Sequence, residues 1–218
     1  MIEIIKKILA KTGTKSKRKI KMMIEILILS ISIQNRFNFA NMERYGKYTE
    51  RTYRNNFRAG FNFYEMNKIV IEEVIKEEKK EEEVIEFIIT IDWTFIKKSG
   101  KYTEELGKFW NAINKRSEKG LEIMLFGITN VKTNQTYILE VNQTPNKGGE
   151  KGSRTDVSIE KIKELCENLP KEVKYLVIDG AAAKKKFVDI VEPVGLHLIS
   201  RLRKDANLKL TLRKELKR

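Results

Sequence analysis

The chain has 218 residues, enough for one full domain beside a smaller one, and 41% of them are hydrophobic, enough for a packed core. Its formal net charge of +14 and pI near 9.7 point to an anionic partner, nucleic acid ahead of a membrane surface. A single cysteine, Cys166, excludes an intrachain disulfide, and with a single histidine, His197, zinc sites built on His and Cys have too few ligands. The longest apolar stretch, Ile20 to Ile33, falls short of the ~20 residues a bilayer requires and carries Lys21 and Glu25, so a soluble, cytoplasmic protein is expected.

Charge is unevenly placed. Residues 1–58 hold 14 Lys and Arg against 4 Asp and Glu, residues 59–183 hold 19 against 22, and residues 184–218 hold 11 against 4. Basic ends around a near-neutral middle suit nucleic-acid contacts flanking a core. Ile20, Met23, Ile24, Leu27 and Ile31 recur at helical spacing. Phe37-Asn38-Phe39-Ala40-Asn41-Met42 is nearly repeated as Phe61-Asn62-Phe63-Tyr64-Glu65-Met66, and each asparagine can cap a helix that starts just after it. A third short helix is expected from about Thr49 to Phe57, after a turn at Gly46-Lys47-Tyr48. Helix, short glycine-containing turn, helix is the plan of a helix-turn-helix. Arg44, Lys47, Arg51, Arg54 and Arg58, interleaved with Tyr45, Tyr48 and Tyr53, are the expected DNA contacts; the plainer reading is the solvated face of a small bundle.

Glu72 to Glu86 is a charge run, mostly Glu and Lys, expected as a charged linker helix. This divides the chain into a helical N-terminal region (1–71), a linker (72–86) and a second domain (87–218). In that domain Val84 to Ile91 reads as a buried strand closed by Asp92. A long excursion from Trp93 to Gly120 leads to a strand at Leu121–Asn130, a turn at 132–135 and a returning strand at Thr136–Gln143. A Gly/Lys loop spans Asn146 to Arg154 without the pattern of a phosphate-binding loop. A helix carrying Ile159, Ile162 and Leu165 follows. Then come a strand ending at Asp179, a helix from about Ala182 to Val191, and a strand at His197–Arg203. The order β, β, β, α, β, α, β is the ribonuclease H-like plan: a mixed sheet of three antiparallel strands and then two parallel to the first, here preceded by a small all-α region.

In that plan the first and fourth strands are neighbours, so Asp92 and Asp179 meet at one edge of the sheet. Phosphodiester chemistry needs an activated attacking oxygen and a stabilised leaving oxygen, and two Mg²⁺ ions ~4 Å apart supply both. Carboxylates from different strands are suitable ligands for them. Taken singly, each aspartate is equally a strand-end turn residue. Trp93 and Trp110 are expected in the core and His197 as a packing residue. Cys166 is expected to be buried, and Arg201, Arg203 and Lys204 are expected as phosphate contacts after the last strand.

Three blocks sharpen this reading. Thr90-Ile-Asp92-Trp-Thr-Phe-Ile-Lys-Lys-Ser-Gly-Lys101 with Leu106-Gly-Lys-Phe-Trp110, Tyr175-Leu-Val-Ile-Asp179-Gly-Ala-Ala-Ala-Lys184, and His197 to Asn207 resemble the catalytic blocks of DDE-class bacterial insertion-sequence transposases. Met42 to Phe57 resembles their N-terminal region. The resemblance implies DNA nicking and strand transfer at transposon ends, with Asp92 and Asp179 as the first two ligands of Mg²⁺ or Mn²⁺. It implies two ions in the complete enzyme, and a homodimer or larger synaptic complex. A third acid, a glutamate beyond a β-rich insertion, has no counterpart here, so the chain is expected to be an inactive N-terminal fragment. Glu215, with 35 residues between it and Asp179, is the one candidate substitute. The rival readings are a non-catalytic DNA-binding repressor of transposition and a ribonuclease of the same fold.

Overall fold

The computed structural model describes residues 2–81, 86–100, 102–146, 153–166, 168–180, 185–191 and 193–201. The chain separates into two compact units, Met1–Val84 and Ile85–Arg218.

Among the described residues the first unit holds five helices: α1 (Ile2–Lys11), α2 (Lys17–Ser32), α3 (Phe39–Tyr45), α4 (Glu50–Arg58) and α5 (Phe63–Glu81). Polar side chains set their starts. Ser16, Asn38 and Thr49 each accept a hydrogen bond from the backbone N–H three residues on, and Asn62 does the same for Glu65. Both asparagine caps therefore lie where the repeated Phe-Asn-Phe motif puts them. Leu9, Met22, Met23, Ile26, Leu29, Met42 and Tyr53 form the core of this unit. The buried stripe of α2 keeps Met23 of the expected set, with Ile20 and Ile24 half-buried against the core, and is widened by Met22, Ile26 and Leu29; Ile31 falls outside it at 68% exposed. The charged run begins inside α5, where Ile71 and Ile75 are buried and Glu73 pairs with Lys11 of α1 at 2.7 Å.

Among the described residues the second unit holds a six-stranded sheet with two helices: β1 (Phe87–Lys97), β2 (Gly107–Asn111), β3 (Arg116–Asn130), β4 (Thr136–Gln143), α6 (Arg154–Cys166), β5 (Val173–Ile178), α7 (Lys185–Val191) and β6 (His197–Ser200). The strand order is β2-β3-β1-β5-β6, and β4 pairs with β3 beyond the reach of β2. β1 is antiparallel to β3 and parallel to β5, and β6 is parallel to β5. The fold is thus mixed α/β behind a helical region, with the first strand between an antiparallel and a parallel neighbour.

Two strands are longer than expected and one is additional. β1 does not close at Asp92 but runs on to Lys97, and β3 starts at Arg116 rather than Leu121. The added residues are mostly solvated, so they lack the apolar run that marks a buried strand. β2 lies inside the Trp93–Gly120 excursion; it is five residues long with two inward positions, Phe109 and Asn111.

Alternation sorts the sheet into two faces. Phe87, Ile89, Ile91, Phe126, Ile128, Leu176 and Ile178 are buried on one. α6 packs there, its Ser158 hydroxyl donating to Met124 Sδ, and Lys186 of α7 pairs with Asp156 of α6. On the other face Ile138, Val141 and Ile199 are 43–50% exposed.

Candidate functional site

β1 pairs with β5 from Phe87 to Ile91 and with β3 along its whole length. Asp92 is therefore mid-strand, at the point where the parallel neighbour ends. Ile91 and Ile178 are register partners, so Asp92 and Asp179 are the next residues on each strand. Thr90 and Val177, the partners before them, lie on the face without α6, and Asp92 continues on that face. Both aspartates are exposed.

The chain leaves β5 under a tight constraint. A Cβ on Gly180 would stand 2.5 Å from the carbonyl oxygen of Arg201, the residue that follows β6. Only glycine lets the Asp179-Gly180 turn pass so close to the β6 end. Ile178 in turn pairs with Ser200, so Asp92, Asp179 and Arg201 are the next positions on three adjacent strands, where their parallel pairing ends.

Two exposed carboxylates on neighbouring strands are hard oxygen donors. Such a pair fits a divalent cation that takes its remaining ligands from water and substrate phosphate. Among the described residues no group of three His, Cys, Asp or Glu side chains is suited to holding a metal. Glu122 is on the opposite face and already engaged: Arg154 Nη1 donates to it at 3.0 Å and Thr144 Oγ1 at 3.0 Å. Arg154 is thus the first residue of α6 rather than part of a loop, and its guanidinium lies 5.1 Å from the centre of the Trp93 ring. Lys147, Lys151, Arg203, Lys204 and Glu215 lie outside the described residues.

In the helical unit, α3, the Gly46–Thr49 turn and α4 form the helix-turn-helix candidate. Arg51, Arg54, Asn55 and Arg58 fall at i, i+3, i+4 and i+7, on one exposed side of α4. Arg54 pairs with Glu50 and lies 4.9 Å from the centre of the Phe39 ring. Lys47 reaches Glu25 at 3.4 Å, and Arg44 is exposed at the end of α3.

Tyr53 departs from its expected place among the surface aromatics. It is fully buried on the opposite side of α4, where burial raises its phenol pKa. Its hydroxyl accepts from the Tyr48 N–H at 3.4 Å and donates to Glu25 at 3.5 Å, while Glu25 accepts from the Lys47 N–H at 3.0 Å. Glu25, an oddity in an apolar helix by sequence, is thus the internal clamp of the turn. No periodicity announces this, because its partners, the Lys47 N–H and the Tyr53 hydroxyl, are 22 and 28 residues away.

Trp110 corrects another expectation: it is 60% exposed, not packed in the core. His197 is exposed beside Tyr175, with 5.6 Å between ring centres.

No family model and no curated protein matches the chain. Among solved structures, it is similar to a piggyBac transposase synaptic complex with hairpin DNA, at 11% identity and a TM-score of 0.47, over 88% of this chain and 43% of that one. It is also similar to the Mos1 transposase paired-end complex with the left transposon end, at 11% identity and a TM-score of 0.32, over 85% of this chain and 60% of that one. The chain spans about half the length of the chains it matches.

Proposed function

We propose that the chain is the front part of a DDE-class insertion-sequence transposase, with a ribonuclease H-like second unit and a DNA-contacting helical first unit. The observation that carries this reading is the register of β1 and β5, which brings Asp92 and Asp179 to adjacent strand positions. The resemblance of the sequence blocks around both residues agrees with it.

In this reading Asp92 and Asp179 would hold Mg²⁺ or Mn²⁺. When bound, such an ion polarises the phosphoryl oxygen and lowers the pKa of its water. The protein's own part is placement. β1 and β5 fix the two carboxylates on rigid strands, Gly180 permits the close turn, and Arg201 offers a cation to phosphate at the same strand end. Arg51, Arg54 and Arg58 would meet DNA along α4, with Arg44 and Lys47 at the turn. Two described carboxylates do not complete a two-ion site, which keeps a second reading in play: a non-catalytic DNA binder that occupies transposon ends and represses transposition.

One experiment separates the readings. The full chain is assayed for Mn²⁺ binding by water-proton relaxation and for nicking of supercoiled DNA, beside Asp92→Asn and Asp179→Asn. Metal-dependent nicking lost in both variants, with salt-sensitive DNA binding retained, supports the transposase reading. DNA binding without nicking supports the repressor. Equal Mn²⁺ binding by wild type and both variants overturns the metal site.

A further inference from the structure

β2 and the start of β3 form a hairpin that leads away from the carboxylates. Lys108 and Lys119 are direct cross-strand partners in it, and Trp110 and Ser117 are the next pair on the same face. Like charges placed opposite each other destabilise a strand pair. Beside them, Trp110 leaves an indole 60% exposed. A cleft of about 530 Å³ adjoins the pair, lined by Lys97, Lys98, Arg116 and Lys119 among others. Among the described residues no acid pairs with Lys97, Lys98, Lys108 or Lys119. The one acid lining the cleft, Glu118, is committed to the hairpin: it accepts from Asn111 Nδ2 at 2.9 Å, Asn114 Nδ2 at 3.0 Å and Arg116 Nε at 2.6 Å.

Nothing within the hairpin compensates two facing lysines and a bare indole. A ligand that is both anionic and aromatic would. We propose that this hairpin binds a nucleic-acid strand, its phosphates on Lys108 and Lys119 and a base stacked on Trp110. The Glu118 brace holds the platform rigid, so little ordering remains to be done on binding. Lys119 precedes Gly120, the partner of Lys97, and lies on the face of Asp92 about six residue steps along the sheet, or ~20 Å. Resting on the transposase reading, the same strand would then reach the two carboxylates.

The test uses the full chain carrying Trp93→Phe, which leaves Trp110 as its one tryptophan. Single-stranded oligothymidylate should quench its emission at saturation. Trp110→Ala should weaken binding about tenfold. Lys108→Ala with Lys119→Ala should lower the slope of log K against log salt by about 1.4, while the charge-keeping double variant Lys108→Arg with Lys119→Arg should leave it unchanged. If Trp93→Phe misfolds, wild type is compared with Trp110→Phe. Unchanged Trp110 emission with DNA bound by gel shift, together with an unchanged salt slope, overturns the hairpin proposal and leaves the function reading standing. A responsive hairpin in a chain whose Mn²⁺ binding ignores Asp92→Asn and Asp179→Asn supports the hairpin and sinks the metal site.

Discussion

Gly46 offers the most discriminating test of the helical unit. Its φ of −110° is open to any residue, so glycine is not required there by backbone conformation. Space requires it. A Cβ would fall well inside van der Waals contact of Tyr53 Oη, at 2.6 Å from the Met42 carbonyl oxygen and 2.8 Å from Leu29 Cδ1. Tyr53 is buried and Met42 O accepts the N–H of Gly46 itself, so neither can step aside cheaply. Overpacking of this kind costs about 1–3 kcal/mol. With three contacts violated, Gly46→Ala should cost about 3 kcal/mol, or roughly 12–24 °C in melting temperature for a unit of this size.

The two units carry separate reporters. Both tryptophans, Trp93 and Trp110, belong to the second unit, and most of the helix belongs to the first. Urea melts of the full chain should show the Gly46→Ala shift in circular dichroism at 222 nm and not in tryptophan emission. Tyr53→Phe alone should cost about 1 kcal/mol, because its hydrogen bonds are long. Combined with Gly46→Ala it should cost less than the sum by about 1–2 kcal/mol, since the worst contact is gone. Strict additivity, or a Gly46→Ala cost below about 0.5 kcal/mol, would refute the packing argument.

Other outcomes follow from the same contacts. Gly180→Ala should destabilise the second unit by about 1–3 kcal/mol in the tryptophan melt and weaken Mn²⁺ binding, because the new methyl pushes the β5 end from Arg201. Glu122→Ala should cost about 1.5 kcal/mol in the same melt; the carboxylate is buried, but Arg154 is half exposed and regains water when its partner is lost. Hydrogen bonds from Asn111, Arg116 and Asn114 hold the Glu118 pKa down to about 2. Its brace on the hairpin is therefore complete above the ordinary value of 4.5 and is lost as pH falls through about 2. Carboxyl-carbon NMR should find that midpoint, and a Glu118 titration near 4.5 would contradict the brace.

Much of the sheet was legible because β1 and β5 are dense apolar runs with an acid just past the last buried position. That pattern placed the strands, their helices and both aspartates. The caps at Asn38 and Asn62 were legible for a similar reason: capping is a local interaction between a side chain and the next turn. What escaped was set at long range. The extension of β1 past Asp92 depends on β3 being there to pair with it, and β3 in turn begins with Arg116-Ser117-Glu118-Lys119, which carries no apolar alternation. Trp110 looked like core because tryptophan usually is; that its strand places it on the solvated face follows only from the register with Ser117. Glu25 gave no sign of its role, since the groups it holds are remote in sequence.

The register of β1 has a consequence for how the chain tolerates insertions and deletions. Removing one residue between Phe87 and Ile91 would reverse the inside-outside order of everything upstream or downstream of the gap. Either the isoleucines turn toward water or the Asp92 carboxylate turns into the packed side against α6. Length changes in the turn beyond Asn111 leave that parity untouched. Deep sequencing of single-codon indels should therefore find the inside-outside order of the sheet kept by changes at the hairpin tip and destroyed by changes at Phe87–Ile91.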